Sequence, residues 1–148
     1  MAQPITVTAG DGAAALPEAD GTITAVDYGF EPDIQAGDTT INFVNDGPNE
    51  VHFAAVSVFP EGTTVEDGEA AFTALLEAPP DAPPPEGVAL PEDIAFSGIA
   101  SSGLGIQFEV PGGFESGRTY ILVCFISDRV GGPPHAIAYQ MFDVFQVK

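Results

Sequence analysis

Apart from Met1, the chain has one thiol, two imidazoles and one thioether: Cys124, His52, His135 and Met141. These four are every Cys, every His and the one remaining Met, in the order His, Cys, His, Met. One thiolate, two imidazoles and a weak thioether form a donor set suited to copper that carries an electron. Sulfur holds Cu(I), imidazole suits both oxidation states, and a geometry fixed by the fold spares the ion rearrangement. Each residue alone also has an ordinary reading. Cys124 in an apolar run could be a small buried hydrophobe. His52, between Val51 and Phe53, could be a satisfied core histidine, His135 a solvated loop residue, and Met141 core filler. It is their joint order and context that favours one metal site.

Such a site needs elements that bring distant residues together. Alternating, β-branched segments predict strands over 22–27, 39–45, 51–59, 106–110, 119–126 and 141–147, with shorter pieces at 5–8 and 94–96. Asp46-Gly47-Pro48, Pro60-Glu61-Gly62 and Pro111-Gly112-Gly113 punctuate them as turns. Residues 63–78 change period, with Val65, Phe72, Leu75 and Leu76 at helical spacing behind a threonine and early acids, and predict the one helix. A proline run at 79–85 then forces an extended linker. The run 119–126 is apolar on both parities, as a strand covered on both faces would be; the excursion 63–104 is expected to cover its outer side. Cys124 would then lie in that strand, His135 in the Gly/Pro loop after it, Met141 at the start of the last strand and His52 in an earlier one. The expectation is an all-β, Greek-key β-sandwich with one helical and proline-rich insertion at about 63–104. Residues 1–20 would form an N-terminal arm and 21–148 a single domain.

Composition narrows the function. The net charge is −19, with Arg118, Arg129 and Lys148 the only basic side chains, so nothing could neutralise nucleic-acid phosphates. The charge favours solubility and would bias docking toward a basic partner. No apolar run approaches the roughly 18 residues of a membrane span. The start, MAQPITVTAG, lacks the features of a signal peptide; a mature exported domain would look like this, and so would a cytosolic protein. One cysteine leaves no internal disulfide. Nothing points to an enzyme: Ser101-Ser102-Gly103 has no free histidine to serve as base, and a Cys124–His nucleophile pair would be sunk in an apolar strand.

The segment FVNDGPNEVH before His52, the strand YILVCF and the ending PPHAIAYQMFDVFQV resemble the cupredoxins, the blue-copper family. So do Tyr28-Gly29-Phe30-Glu31-Pro32, Gly37-Asp38 and Ile41-Asn42-Phe43-Val44-Asn45. The resemblance covers about 20–60 and 105–148. It implies a cupredoxin-like sandwich holding one copper per chain, with His52, Cys124 and His135 as equatorial ligands and Met141 axial. Gln140 is the other candidate for the axial position. The implied function is transfer of single electrons, as a monomer, to a redox partner protein, in an exported (periplasmic or extracellular) setting. His135 would sit near the surface as the electron port, within an apolar rim of Pro133, Pro134, Ala136, Ile137 and Ala138. A copper carrier or storage module, or a metal-free interaction domain, would use the same scaffold. Three features depart from the better-known members. Ten residues lie between Cys124 and His135, Phe53 follows His52 where a polar residue is common, and Gln140 replaces a glycine before Met141.

Overall fold

A computed structural model describes residues 17–79 and 81–148. Most of the expected arm, including the strand at 5–8, lies outside the described residues. Two four-stranded sheets form the body. The first has β1 (Gly21–Val26), β2 (Gly29–Asp33), β3 (Thr40–Asn45) and β6 (Gly105–Glu109), in the spatial order β2-β1-β3-β6. The second has β4 (Ala55–Val58), β5 (Glu92–Phe96), β7 (Thr119–Val123) and β8 (Phe142–Gln146), in the order β5-β4-β7-β8. β1 and β3 pair in parallel, and every other neighbouring pair is antiparallel. The chain changes sheet between β3 and β4, between β5 and β6, and again between β6 and β7, as a Greek-key sandwich requires.

The alternation read in the sequence is the alternation that packs. Ile23 and Ala25 of β1 and Ile41 and Phe43 of β3 face Val56, Tyr120 and Leu122 across the main core. β7 is buried along its whole length. Its other parity, Ile121 and Val123, packs with Ala55, Phe59 and Val144 against Ala71 and Phe72 of the helix α1 (Val65–Glu77). The helix therefore roofs the second sheet, which is why 119–126 reads as apolar on both faces. Thr64 caps α1, its hydroxyl accepting from the Asp67 amide at 3.1 Å. Among the described residues, no helix is long and apolar enough to cross a membrane.

Two elements differ from expectation. Tyr28-Gly29-Phe30-Glu31-Pro32 reads in the sequence as a break after the first strand, yet Gly29–Asp33 form β2; Pro32 is tolerated because β2 is an edge strand. The strand expected at 51–59 is regular only from Ala55. Residues 51–54 leave the ladder, and His52 pairs with Ala100 in an isolated bridge. That departure carries His52 into the site.

Candidate metal centre

The loops after β1, β3, β5 and β7 all leave the same end of the sandwich, because β1 and β3 are parallel and β4 and β7 antiparallel. His52 comes from the β3–β4 loop. The buried Asn45 ties this loop, donating to the carbonyls of Glu50 and Ala100 at 2.9 Å each and accepting from the Gly47 amide. The His52 and Ala100 backbones then exchange two hydrogen bonds, of 3.1 and 2.9 Å. Cys124 directly follows β7. His135 opens α2 (His135–Ala138), a single helical turn.

The ten residues between Cys124 and His135 fold back on themselves. Ser127 bridges Pro134, the Gly131 amide donates to Asp128, and Gly131 and Gly132 take φ values of 86° and 121°, which favour glycine. The chain then returns with the His135 amide on the Ile126 carbonyl at 2.7 Å and the Ala136 amide on the Cys124 carbonyl at 2.9 Å. The long gap is thus a closed finger, and Cys124 and His135 meet as if it were short. Met141 is fixed between them, its amide donating to His135 and its carbonyl accepting from Cys124.

Three donor atoms converge. The Cys124 sulfur lies 3.5 Å from His135 Nδ1 and 3.9 Å from His52 Nδ1, and all three residues are completely buried. The opposite ring nitrogens are occupied. His52 Nε2 lies 2.9 Å from Asp27 Oδ1, and His135 Nε2 lies 3.0 Å from Asp128 Oδ1. A carboxylate only accepts, so each Nε2 carries the proton and each Nδ1 presents a lone pair to the sulfur. A thiol proton can serve one of those lone pairs. The other is a buried acceptor with no donor, which a bound cation would satisfy. The separations fit one ion: nitrogen at about 2.0 Å and sulfur at about 2.3 Å from a common centre lie about 3.5–3.7 Å apart at near-tetrahedral to trigonal angles.

The sulfur environment suits a ligand and not an exposed nucleophile. Burial pushes the Cys124 thiol above its usual range, only partly opposed by the nearby backbone N–H groups of Phe53 and Ile126.

Met141 is fully buried in the same core cluster as Cys124, whereas Gln140 is exposed and lines a shallow groove beside α1 with Thr73 and Leu76. Gln140 takes φ 53°, the left-handed turn that ends α2 and returns the chain to Met141. His135 differs from expectation: its ring has no exposed surface, so it is not itself a surface port. Of the expected rim, Ala136 is buried beneath α1, while Pro133, Ile137 and Ala138 are exposed.

Sequence reading missed Asp27, Asp128, Tyr28 and Tyr139. Asp27 and Tyr28 occupy the β1–β2 turn, and Asp128 the finger. The Tyr139 hydroxyl donates to Asp128 Oδ2 at 2.5 Å. This bond holds the Asp128 carboxyl below the usual carboxylate range; burial opposes the shift, and His135 and Tyr28 add to it. The only available signal was position, since each of these residues sits where a strand or the ligand loop turns at one end of the sandwich.

No protein-family model matches the chain, and no curated protein matches it. Among solved structures, it is similar to dithionite-reduced auracyanin from the photosynthetic bacterium Roseiflexus castenholzii. The identity is 20%, the match covers 88% of this chain and 99% of that one, and the TM-score is 0.45. It is also similar to auracyanin A, described as a "blue" copper protein, from the green thermophilic photosynthetic bacterium Chloroflexus aurantiacus. That match has 20% identity, covers 86% of this chain and 98% of the other, and has a TM-score of 0.44. The metal-site assignment rests on the geometry described above.

Proposed function

We propose that the chain is a cupredoxin-like protein that holds one copper ion through His52, Cys124, His135 and Met141 and passes single electrons to and from a partner protein. The convergence of two inward Nδ1 lone pairs on one buried cysteine sulfur carries this reading. Copper, when bound, supplies a one-electron couple. The chain supplies the remainder. Asp27 and Asp128 hold the imidazoles in the ligating tautomer, complete burial excludes water, and backbone bonds joining Cys124, His135 and Met141 keep the donors from moving apart. A donor set with a thiolate and two imidazoles, and a methionine buried in the same core cluster as the cysteine, favours copper over harder ions.

The partner would present basic groups to this acidic chain. Pro133, Ile137 and Ala138 offer an apolar contact beside the site, and the protein would act as a monomer. An exported location belongs to the same reading, and fractionation of the native cells checks it.

Titrating Cu(II) into the reduced, metal-free protein tests the assignment. An intense visible thiolate-to-copper band should saturate at one equivalent, vanish in Cys124→Ser and persist in Gln140→Ala. If no band forms while Cys124 titrates as one free thiol after unfolding, copper is excluded and the metal-free scaffold reading stands. A reversible voltammetric couple separates electron transfer from carriage; ready loss of Cu(I) without such a couple indicates a carrier.

A further inference from the structure

Above the donor atoms lies an aromatic assembly that ligation does not require. The Tyr28 ring stands edge-on to both imidazoles, with centroids 5.1 Å from His135 and 6.0 Å from His52. Tyr139 stacks on Tyr28 at 3.8 Å with the planes only 16° apart. Asp128 ties the assembly together. Its Oδ1 accepts from His135 Nε2 at 3.0 Å and from the Tyr28 hydroxyl at 3.4 Å, while Oδ2 accepts from the Tyr139 hydroxyl. Tyr139 also lies 5.9 Å from His135, so the two stacked rings cover the imidazole pair together, and Tyr139, the more outward of them, is 42% exposed. The three pieces come from separate parts of the chain: the β1–β2 turn, the finger and the end of α2.

We infer that Tyr28 and Tyr139, pinned by Asp128, form a fixed cover that determines which molecules reach the centre. Small solutes such as thiols, chelators and anions are kept from the His52–Cys124–His135 donors, and an electron partner meets the exposed face of Tyr139 in place of an imidazole edge. The partner half of this statement rests on the electron-transfer reading; the exclusion half depends only on the protein itself. Stacked rings suit the task. They are stiff, they fill the opening without polar groups that would admit water, and aromatic pairs add about 0.5–1.5 kcal/mol beyond the area they bury. The Tyr139 hydroxyl donates to Asp128, which fixes the outer ring against the rest of the assembly.

The rate at which iodoacetamide alkylates Cys124 in the reduced, metal-free protein tests the cover without any copper. Wild type should react slowly. Tyr139→Ala, which removes an outer and partly exposed ring, should react several-fold faster, and Tyr28→Ala at least tenfold faster. Tyr139→Phe, which keeps the stacked ring, should stay close to wild type. Val130→Ala, a change at the fully solvated tip of the same finger, should leave the rate unchanged. Near-ultraviolet circular dichroism and thermal midpoints establish that each variant is folded. If Tyr28→Ala does not fold, Tyr139→Ala carries the test. Wild-type rates in folded Tyr139→Ala, or equal acceleration by Val130→Ala, would overturn the cover. The outcome is separable from the copper assignment: unmasking of the thiol in a protein that forms no copper band sustains the cover and defeats the copper reading.

Discussion

At the scale of single residues, the centre depends on which nitrogen of each imidazole is protonated, and two aspartates decide that. Asp27 is itself held from behind, since the Asn49 side-chain amide donates to its Oδ2 at 3.1 Å. Its room is set by Gly47. A Cβ at that position would collide with Asp27 Oδ1 and lie 3.0 Å from its Cγ. The glycine of the Asp46-Gly47-Pro48 turn thus leaves Asp27 its space, and its effect reaches the candidate ligand His52 through one intervening carboxylate. Gly47→Ala should displace Asp27 from His52 Nε2 and release the ring to its other tautomer. Loss of such a supporting partner lowers metal affinity by roughly 10- to 100-fold. Competition for Cu(I) with a chromophoric chelator measures this; an affinity within twofold of wild type would show that Asp27 does not act through His52.

At the scale of elements, the first strand is fastened to the third by an acid that makes no contact with the site. The Asp20 carboxylate accepts from the amides of Thr39 and Thr40 and from the Thr39 hydroxyl, at 2.9–3.1 Å. The Thr40 amide, followed by those two Thr39 donors, lowers its pKa. The folded-state value is depressed, so the stabilisation is present above the unfolded value of about 3.9 and is lost as pH falls through the lower folded value. Urea midpoints of wild type should exceed those of Asp20→Asn near pH 6, with the gap closing below about pH 3.9. A gap that stays constant to low pH would mean that the carboxylate charge plays no part. The strands themselves were legible because one face of each is buried and period two is enforced. β2 was not, because Gly29 and Pro32 look like breakers until the strand is known to lie at an edge. The four candidate ligands stood out as the rare soft donors of the chain. Asp27 and Asp128 did not, because they are two of 22 acids and only the return of the finger and the β1–β2 turn to one end distinguishes them.

At the scale of the whole molecule, charge is the unusual quantity. Of the three basic side chains, Arg118 donates to the Phe59 carbonyl at 3.0 Å and approaches Glu115, and Arg129 approaches Glu50. Most of the described acids are exposed, and with a net charge of −19 over the whole chain they repel one another across the surface. Burial of the core must exceed this repulsion, and salt weakens it: the screening length falls from about 30 Å at 0.01 M to about 3 Å at 1 M. The thermal midpoint of the metal-free protein should therefore rise steadily with NaCl over that range. Most of the gain should come before the screening length becomes shorter than the spacing between surface carboxylates. Sodium perchlorate, which does not strengthen burial as sulfate does, should reproduce the rise at low ionic strength, where screening is the shared mechanism. A midpoint that is flat in both salts would show that the acids are too far apart to repel, and the charge would then serve docking and solubility alone. If the midpoint rises, the same experiment at fixed copper separates two contributions: metal binding adds a constant increment through mass action, while the charge term fades as salt increases.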